Sequence, residues 1–225
     1  MHRARQPEQK EERRRAIIQA AFSLWSESAL EEFTMAHLAS RLGLAKGTLY
    51  LYFATKEEVF VAVLDELLEL WLRELGVSFR QLGRRTRPRA VAATILASLQ
   101  TRRELIRLLP LVETLLDRGA SDSAVLVFER RALEYMTSAG RALEECLAGL
   151  PRGSGLRLLL LLRALIMGMY LRANKPARIR HMLARHEDLQ AFDVRFDRDF
   201  VFAAEALIEG FLKLAQREQN QISIT

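Results

Sequence analysis

The sequence predicts an all-α protein. A three-helix head with a helix-turn-helix occupies residues 1–55, and a larger helical region follows over 56–225, with about nine helices in total. Three observations carry this. Apolar residues recur at helical spacing along almost the whole chain, and no stretch sustains the period-two alternation of a strand. Only five prolines and eleven glycines interrupt 225 residues, too few to end many short elements. Gly43 separates two short amphipathic segments, as a helix-turn-helix requires.

The first helix is expected over about 9–26, with Ile17, Ala21, Leu24 and Trp25 on one face and Phe22 beside them. "ESALEEF" breaks the pattern. Thr34 offers a hydroxyl to the free N–H groups of a second helix over 35–42, with Leu38, Ala39 and Leu42 inward. Gly43 stands where a helix end needs a left-handed residue. The third helix covers about 45–53 and turns Leu49 and Phe53 to the core. Thr55 caps a long fourth helix over 56–82, whose inner face is marked by Val59, Val63, Leu67, Leu70 and Trp71. The boundary between head and larger region falls inside this helix. "LGRRTRPRA" reads as a loop with Pro88 at a helix N1 position. Later helices are expected over 89–101, 103–117, 122–149, 155–173 and 197–218. "LPRGSG" is a break, and "NKPARIRHMLARHEDLQAFDV" an irregular connection with a short helix or two.

Composition sets the outer limits. Half the residues are hydrophobic and 28% are charged, a balance that suits a folded soluble chain and not a disordered one. The formal charge of +6 permits an anionic partner. It is not concentrated in the head: residues 1–60 carry 9 basic and 8 acidic side chains. Any DNA contact must therefore rest on where a few charges sit. Cys146 is the single cysteine, so no disulfide forms within the chain, and a reducing compartment is expected. The charged start "MHRARQPEQKEERRRA" is no signal peptide. The most apolar run, 156–171, holds Arg157 and Arg163 and is shorter than the roughly 20 residues of a bilayer span. A cytoplasmic protein without membrane association is expected.

The chemistry concentrates in "GLAKGTLYLYFATKEEVF". With Leu49 and Phe53 turned inward, Lys46, Gly47, Thr48, Tyr50 and Leu51 cover the outer faces of the third helix. Lysine reaches phosphates or guanine edges, and the hydroxyls donate to phosphate oxygens. Gly47 lets the backbone approach the sugar-phosphate chain. The start of the fourth helix, with Lys56, offers free N–H groups and a positive dipole end to a phosphate. So short a helix reads few base pairs, which favours a dimer on two half-sites.

Residues 13–60 resemble the DNA-binding head of the tetracycline-repressor (TetR) family of bacterial regulators. The segments that carry the likeness are "RRRAIIQAAFSLW" and "FTMAHLASRLGLAKGTLYLYFATKEEVF". The resemblance implies that Thr34 touches phosphate and that Lys46, Gly47, Thr48 and Tyr50 lie in or along a major groove. It implies that Tyr52 and Lys56 reach phosphates and that Phe53 is core. Two positions depart from the family pattern. Ala45 stands where a serine often caps the recognition helix. Leu51 replaces a residue that is often polar; it removes one phosphate contact and can meet a thymine methyl instead. The basic arm 3–15 is open to two readings, a contact with a neighbouring groove or a solvated terminus.

In the larger region, "GLRLLLLLRALIMGMYLRA" is apolar almost all round and must be buried on more than one side. The last helix carries a broad apolar stripe. By the resemblance, the last two long helices pair two subunits into a homodimer. Leu161, Ala164, Leu165 and Gly168 would serve from one helix, and Ala204, Leu207, Ile208 and Phe211 from the other. The family also implies a small-molecule effector, hydrophobic or amphipathic, in the larger half. Trp71, Glu113, Phe128, Tyr135, Met136, Met167 and Tyr170 are its candidate lining, although aromatic residues and methionines at helical spacing equally form plain core. Glu113, within "LLPLVETLL", faces either solvent or a cationic ligand.

No catalytic constellation or cofactor motif is expected. His181 and His186, five apart, do not share a helical face, so no metal site is expected. "GSGLRL" lacks the third glycine and the preceding strand of a dinucleotide loop. The resulting expectation is a ligand-responsive transcriptional repressor that binds a palindromic operator on double-stranded DNA as a homodimer through its helix-turn-helix. The alternative is a helical small-molecule or protein-binding module with a vestigial head.

Overall fold

The computed structural model describes residues 5–27 and 33–222. Among them there are eleven α-helices and no strand. The helices are α1 (Arg5–Glu27), α2 (Met35–Arg41), α3 (Lys46–Tyr50), α4 (Lys56–Leu82), α5 (Pro88–Gln100), α6 (Arg103–Leu108), α7 (Val112–Gly119), α8 (Asp122–Cys146), α9 (Gly155–Ala173), α10 (Ala177–Leu183) and α11 (Phe196–Ile222). Short 3-10 turns cover Leu109–Leu111 and Glu187–Phe192. The predicted helix over 103–117 is thus two helices, because Pro110 has no N–H to continue the ladder. The expected break at 27–33 falls mostly on 28–32, outside the described residues.

The chain forms two compact units. Residues 1–68 and 111–132 make the first, and 69–110 and 133–225 the second. α4 and α8 each contribute to both.

The first unit is built around Trp25, Phe33 and Phe60. Phe60 meets Phe33 edge-on at 4.6 Å and Trp25 at 6.1 Å between ring centroids. Ile17, Ile18, Ala21, Leu38, Leu49 and Phe53 close this core. Ile18 is fully buried, whereas Phe22 and Leu24, expected inside, are half-buried. The α2–α3 turn is a Schellman motif. The Leu44 N–H donates to the Ala39 carbonyl at 2.9 Å, and the Gly43 N–H to Ser40 at 3.1 Å. Gly43 adopts φ 63°, which a side chain would resist.

The second unit packs α11 against α5 and α9. Phe200, Ala204 and Ile208 of α11 are fully buried in it. The inner face of α4 here is Trp71, Leu72, Leu75 and Phe79; Leu70 is 41% exposed and belongs to the outer face. α8 and α9 approach closely where Gly140 meets Gly155. A methyl on Gly140 would lie 2.7 Å from the Leu156 nitrogen and 2.8 Å from the Gly155 carbonyl carbon. The Gly155 N–H donates to Glu144 Oε1 at 2.8 Å across the same junction.

Candidate nucleic-acid interface

Every residue predicted to meet DNA lies in the first unit. Thr34 caps α2: its Oγ1 accepts from the His37 N–H at 3.1 Å, and the residue is exposed. α3 has one buried residue, Leu49, with no exposed surface. Lys46 and Gly47 are exposed, Thr48 is half-buried, Tyr50 is 45% exposed and Leu51 76% exposed. Tyr52 is half-buried, Phe53 is core and Lys56 is exposed. One short helix therefore anchors through Leu49 and leaves ammonium, hydroxyl and phenol groups outward. A methyl added to Gly47 would find no atom within 4 Å. Ala45 gives no side-chain cap, so α3 starts without one.

The turn after α3 is held on two sides. Arg14 of α1 stacks its guanidinium over the Phe53 ring, 5.1 Å from the centroid. On the other side Thr55 caps the start of α4, and Glu58 reaches back past it to the preceding residue. The Thr55 hydroxyl accepts from the Glu58 N–H at 3.1 Å, and Glu58 Oε2 accepts from the Ala54 N–H at 2.9 Å. The same two residues clasp the α7–α8 segment. Thr55 donates to the Gly119 carbonyl at 2.7 Å. Glu58 Oε1 accepts from the Ser121 hydroxyl at 2.7 Å and the Ser121 N–H at 3.1 Å. Burial pushes the Glu58 carboxyl up, but the Ser121 hydroxyl and the two backbone N–H groups outweigh it, and the net shift is downward. Asp65 pairs with Arg131 at 3.0 Å one stage further along. The sequence pattern showed the cap on α4 but not this clasp, because nothing local links Glu58 to Ser121. "T-x-x-E" over 55–58 was the one available trace.

The other predicted sets are distributed as follows. Trp71 is buried in the second unit and donates from Nε1 to Ser98 Oγ at 2.9 Å. Tyr135 donates to Glu69 Oε2 at 3.0 Å. Met136 is buried, and Met167 and Tyr170 are half-buried. Tyr170 meets Phe196 edge-on at 6.2 Å, and burial raises its phenol above the usual range. Glu113 is exposed and Phe128 buried, both in the first unit. Of the pairing set, Leu161, Ala164 and Gly168 are exposed, and Leu165, Leu207 and Phe211 half-buried. Leu161, Leu207 and Phe211 line an apolar groove of about 350 Å³ along α9 and α11. Ala204 and Ile208 are fully buried within the protomer and belong to its own core; the apolar stripe on α11 is wide enough to serve two faces, and these two point inward.

The class that this head defines is the helix-turn-helix transcriptional regulator. Residues 17–63 match the family model described as bacterial regulatory proteins, tetR family. Residues 65–215, more than half of the chain, match the tetracyclin repressor-like C-terminal domain. The chain belongs to the TetR family. Among curated relatives, the HTH-type transcriptional regulator RutR of Escherichia coli (strain K12) is 32% identical over 69 residues, 31% of this chain and 32% of the relative. The uncharacterized HTH-type transcriptional regulator YvdT of Bacillus subtilis (strain 168) is 34% identical over 62 residues, 28% of this chain and 32% of the relative. The match spans about a third of the length of these relatives. Two solved structures share the fold over most of the chain. A possible TetR family transcriptional regulator from Streptomyces coelicolor A3(2) aligns with TM-score 0.56 at 19% identity, covering 89% of this chain and 99% of that one. A TetR transcriptional regulator from Rhodococcus sp. RHA1 aligns with TM-score 0.52 at 25% identity, covering 88% and 97%. Among the described residues no helix is long and apolar enough to cross a membrane.

Proposed function

We propose that the protein is a cytoplasmic, ligand-responsive repressor that binds a palindromic DNA operator as a homodimer. The observation that carries this is α3: Leu49 is its one buried side chain, while Lys46, Gly47, Tyr50 and Leu51 stand exposed. Lys46 and Tyr50 enter the major groove, Thr48 and Tyr52 donate to phosphates, and Leu51 meets a thymine methyl. Thr34 and Lys56 add phosphate contacts from α2 and α4. The head comprises 1–55, and 56–225 pairs the subunits and holds the effector. Pairing uses the exposed apolar residues of α9 and α11, where the groove beside Leu161 and Phe211 takes side chains of a second copy. Trp71, Tyr135, Met136, Met167 and Tyr170 favour a hydrophobic or amphipathic effector. Its occupancy shifts the population of dimers in which both α3 helices fit their grooves, by no more than its differential affinity for the two states.

The test is recovery of duplex fragments from the source genome by purified protein, with Tyr50→Ala as control. Wild type alone is expected to enrich a palindromic site. No enrichment above the control, from folded dimer at low salt, would leave a binding module with a vestigial head.

A further inference from the structure

The second unit holds a basic groove that plays no part in the proposed DNA contact. It has a volume of about 870 Å³ and gathers arginines from three separate segments. Arg84 and Arg85 come from the α4–α5 turn, Arg141 from α8 and Arg152 from the α8–α9 turn. All four are exposed, and among the described residues none has an ion-pair or hydrogen-bond partner. Two carboxylates border the groove, Glu144 and Glu145. Glu144 is engaged by the Gly155 N–H at 2.8 Å. Four guanidiniums against two carboxylates leave the groove cationic.

The groove is also held in shape. The Thr86 N–H donates to the Cys146 carbonyl at 3.0 Å, tying the α4–α5 turn to the end of α8. The Thr86 hydroxyl donates into the end of α4, within 3.1 Å of Leu82 O and 2.9 Å of Gly83 O. Arg85 is the single described non-glycine residue with positive φ, at 68°. Such a conformation is uncommon for a residue that carries a side chain. Leu147 and Leu150 give the groove an apolar floor.

We propose that this groove binds a small compound carrying two or more phosphate groups. Guanidinium forks match phosphate oxygens two at a time, and several unpaired arginines around one concavity suit a chain of phosphates better than a single carboxylate. The volume lies in the range of sites for ligands of nucleotide size. The inference is independent of the DNA-binding reading, since the groove and α3 are on different units.

The test is isothermal titration of the full-length protein with sodium tripolyphosphate at physiological ionic strength. One saturable site per chain is expected. Arg141→Gln with Arg152→Gln should weaken it roughly tenfold or more, through loss of charge-assisted hydrogen bonds. Arg84→Gln with Arg85→Asn should do the same from the other wall, since Asn tolerates the left-handed backbone. Arg178→Gln with Arg180→Gln removes equal charge from exposed positions on α10 and should leave binding unchanged. The proposal is overturned if wild type shows no saturable binding, if the α10 pair loses as much as the groove pairs, or if the site survives both groove pairs. It is also overturned if tripolyphosphate does not bind while random duplex DNA does and is weakened by the groove pairs, which would make the surface a nucleic-acid track.

Discussion

Replacing Glu58 by Ala tests how the turn after α3 is held. The carboxylate accepts three hydrogen bonds, from Ala54 N–H at 2.9 Å and from the Ser121 hydroxyl and N–H at 2.7 and 3.1 Å. Hydrogen bonds to a charged group are each worth about 1.5–3 kcal/mol. Three of them would sum to about 5 kcal/mol or more, but Glu58 is only half-buried, and water replaces part of what is lost. A helix-capping interaction alone contributes about 1 kcal/mol. A net loss of about 2–4 kcal/mol follows for the clasp. For a chain of this length that lowers Tm by about 5–15 °C. Thermal unfolding followed by circular dichroism reads this directly. The pH dependence supplies a second check. The folded carboxyl titrates below its unfolded value, so its contribution is complete above the unfolded pKa and is lost as pH falls through the folded one. The difference between wild type and Glu58→Ala should therefore be full at neutral pH and shrink in acid. A Tm within about 2 °C of wild type at pH 7, or a difference that grows on acidification, would refute the clasp.

Three further outcomes follow from the same geometry. Gly140→Ala gains about 1 kcal/mol of helix propensity, but its methyl would press on α9 backbone at 2.7 and 2.8 Å. Overpacking of about 1–3 kcal/mol wins, and urea denaturation should show a lower midpoint, not a higher one. Cys146 is buried, and burial pushes its thiol up to about 11. Native protein should resist iodoacetamide at pH 8 and react only after unfolding, as mass spectrometry will show. Trp71→Phe removes the indole donor to Ser98 Oγ and should cost about 1 kcal/mol by chemical denaturation, with no effect on α3 chemistry.

Local patterns carried much of this architecture. The ends of α4 and α9 follow from Thr55 and from the break before Gly155, and the α2–α3 turn from Gly43. The outward face of α3 was legible because Leu49 and Phe53, four apart, leave few other faces for the polar residues. What escaped is non-local. The apolar stripes on α4 and α11 are broad enough to hide which face is inner: Leu70, expected inside, is 41% exposed, and Ala204 and Ile208, expected at a dimer interface, are buried in the protomer's own core. The meeting of Gly140 with Gly155, the Glu58–Ser121 clasp and the groove lined by four arginines each join segments that no periodicity connects.

The most direct test of the central claim is the affinity of Gly47→Ala for a duplex that the wild type enriches. Inside the protein the added methyl touches nothing within 4 Å, so fold and Tm should be unchanged or slightly raised. If the α3 backbone lies against DNA, the methyl meets the duplex instead. An overpacking cost of about 1–3 kcal/mol then weakens binding roughly fivefold to a hundredfold by fluorescence anisotropy. A folded Gly47→Ala protein that binds the duplex as tightly as wild type would contradict the placement of α3 in the groove.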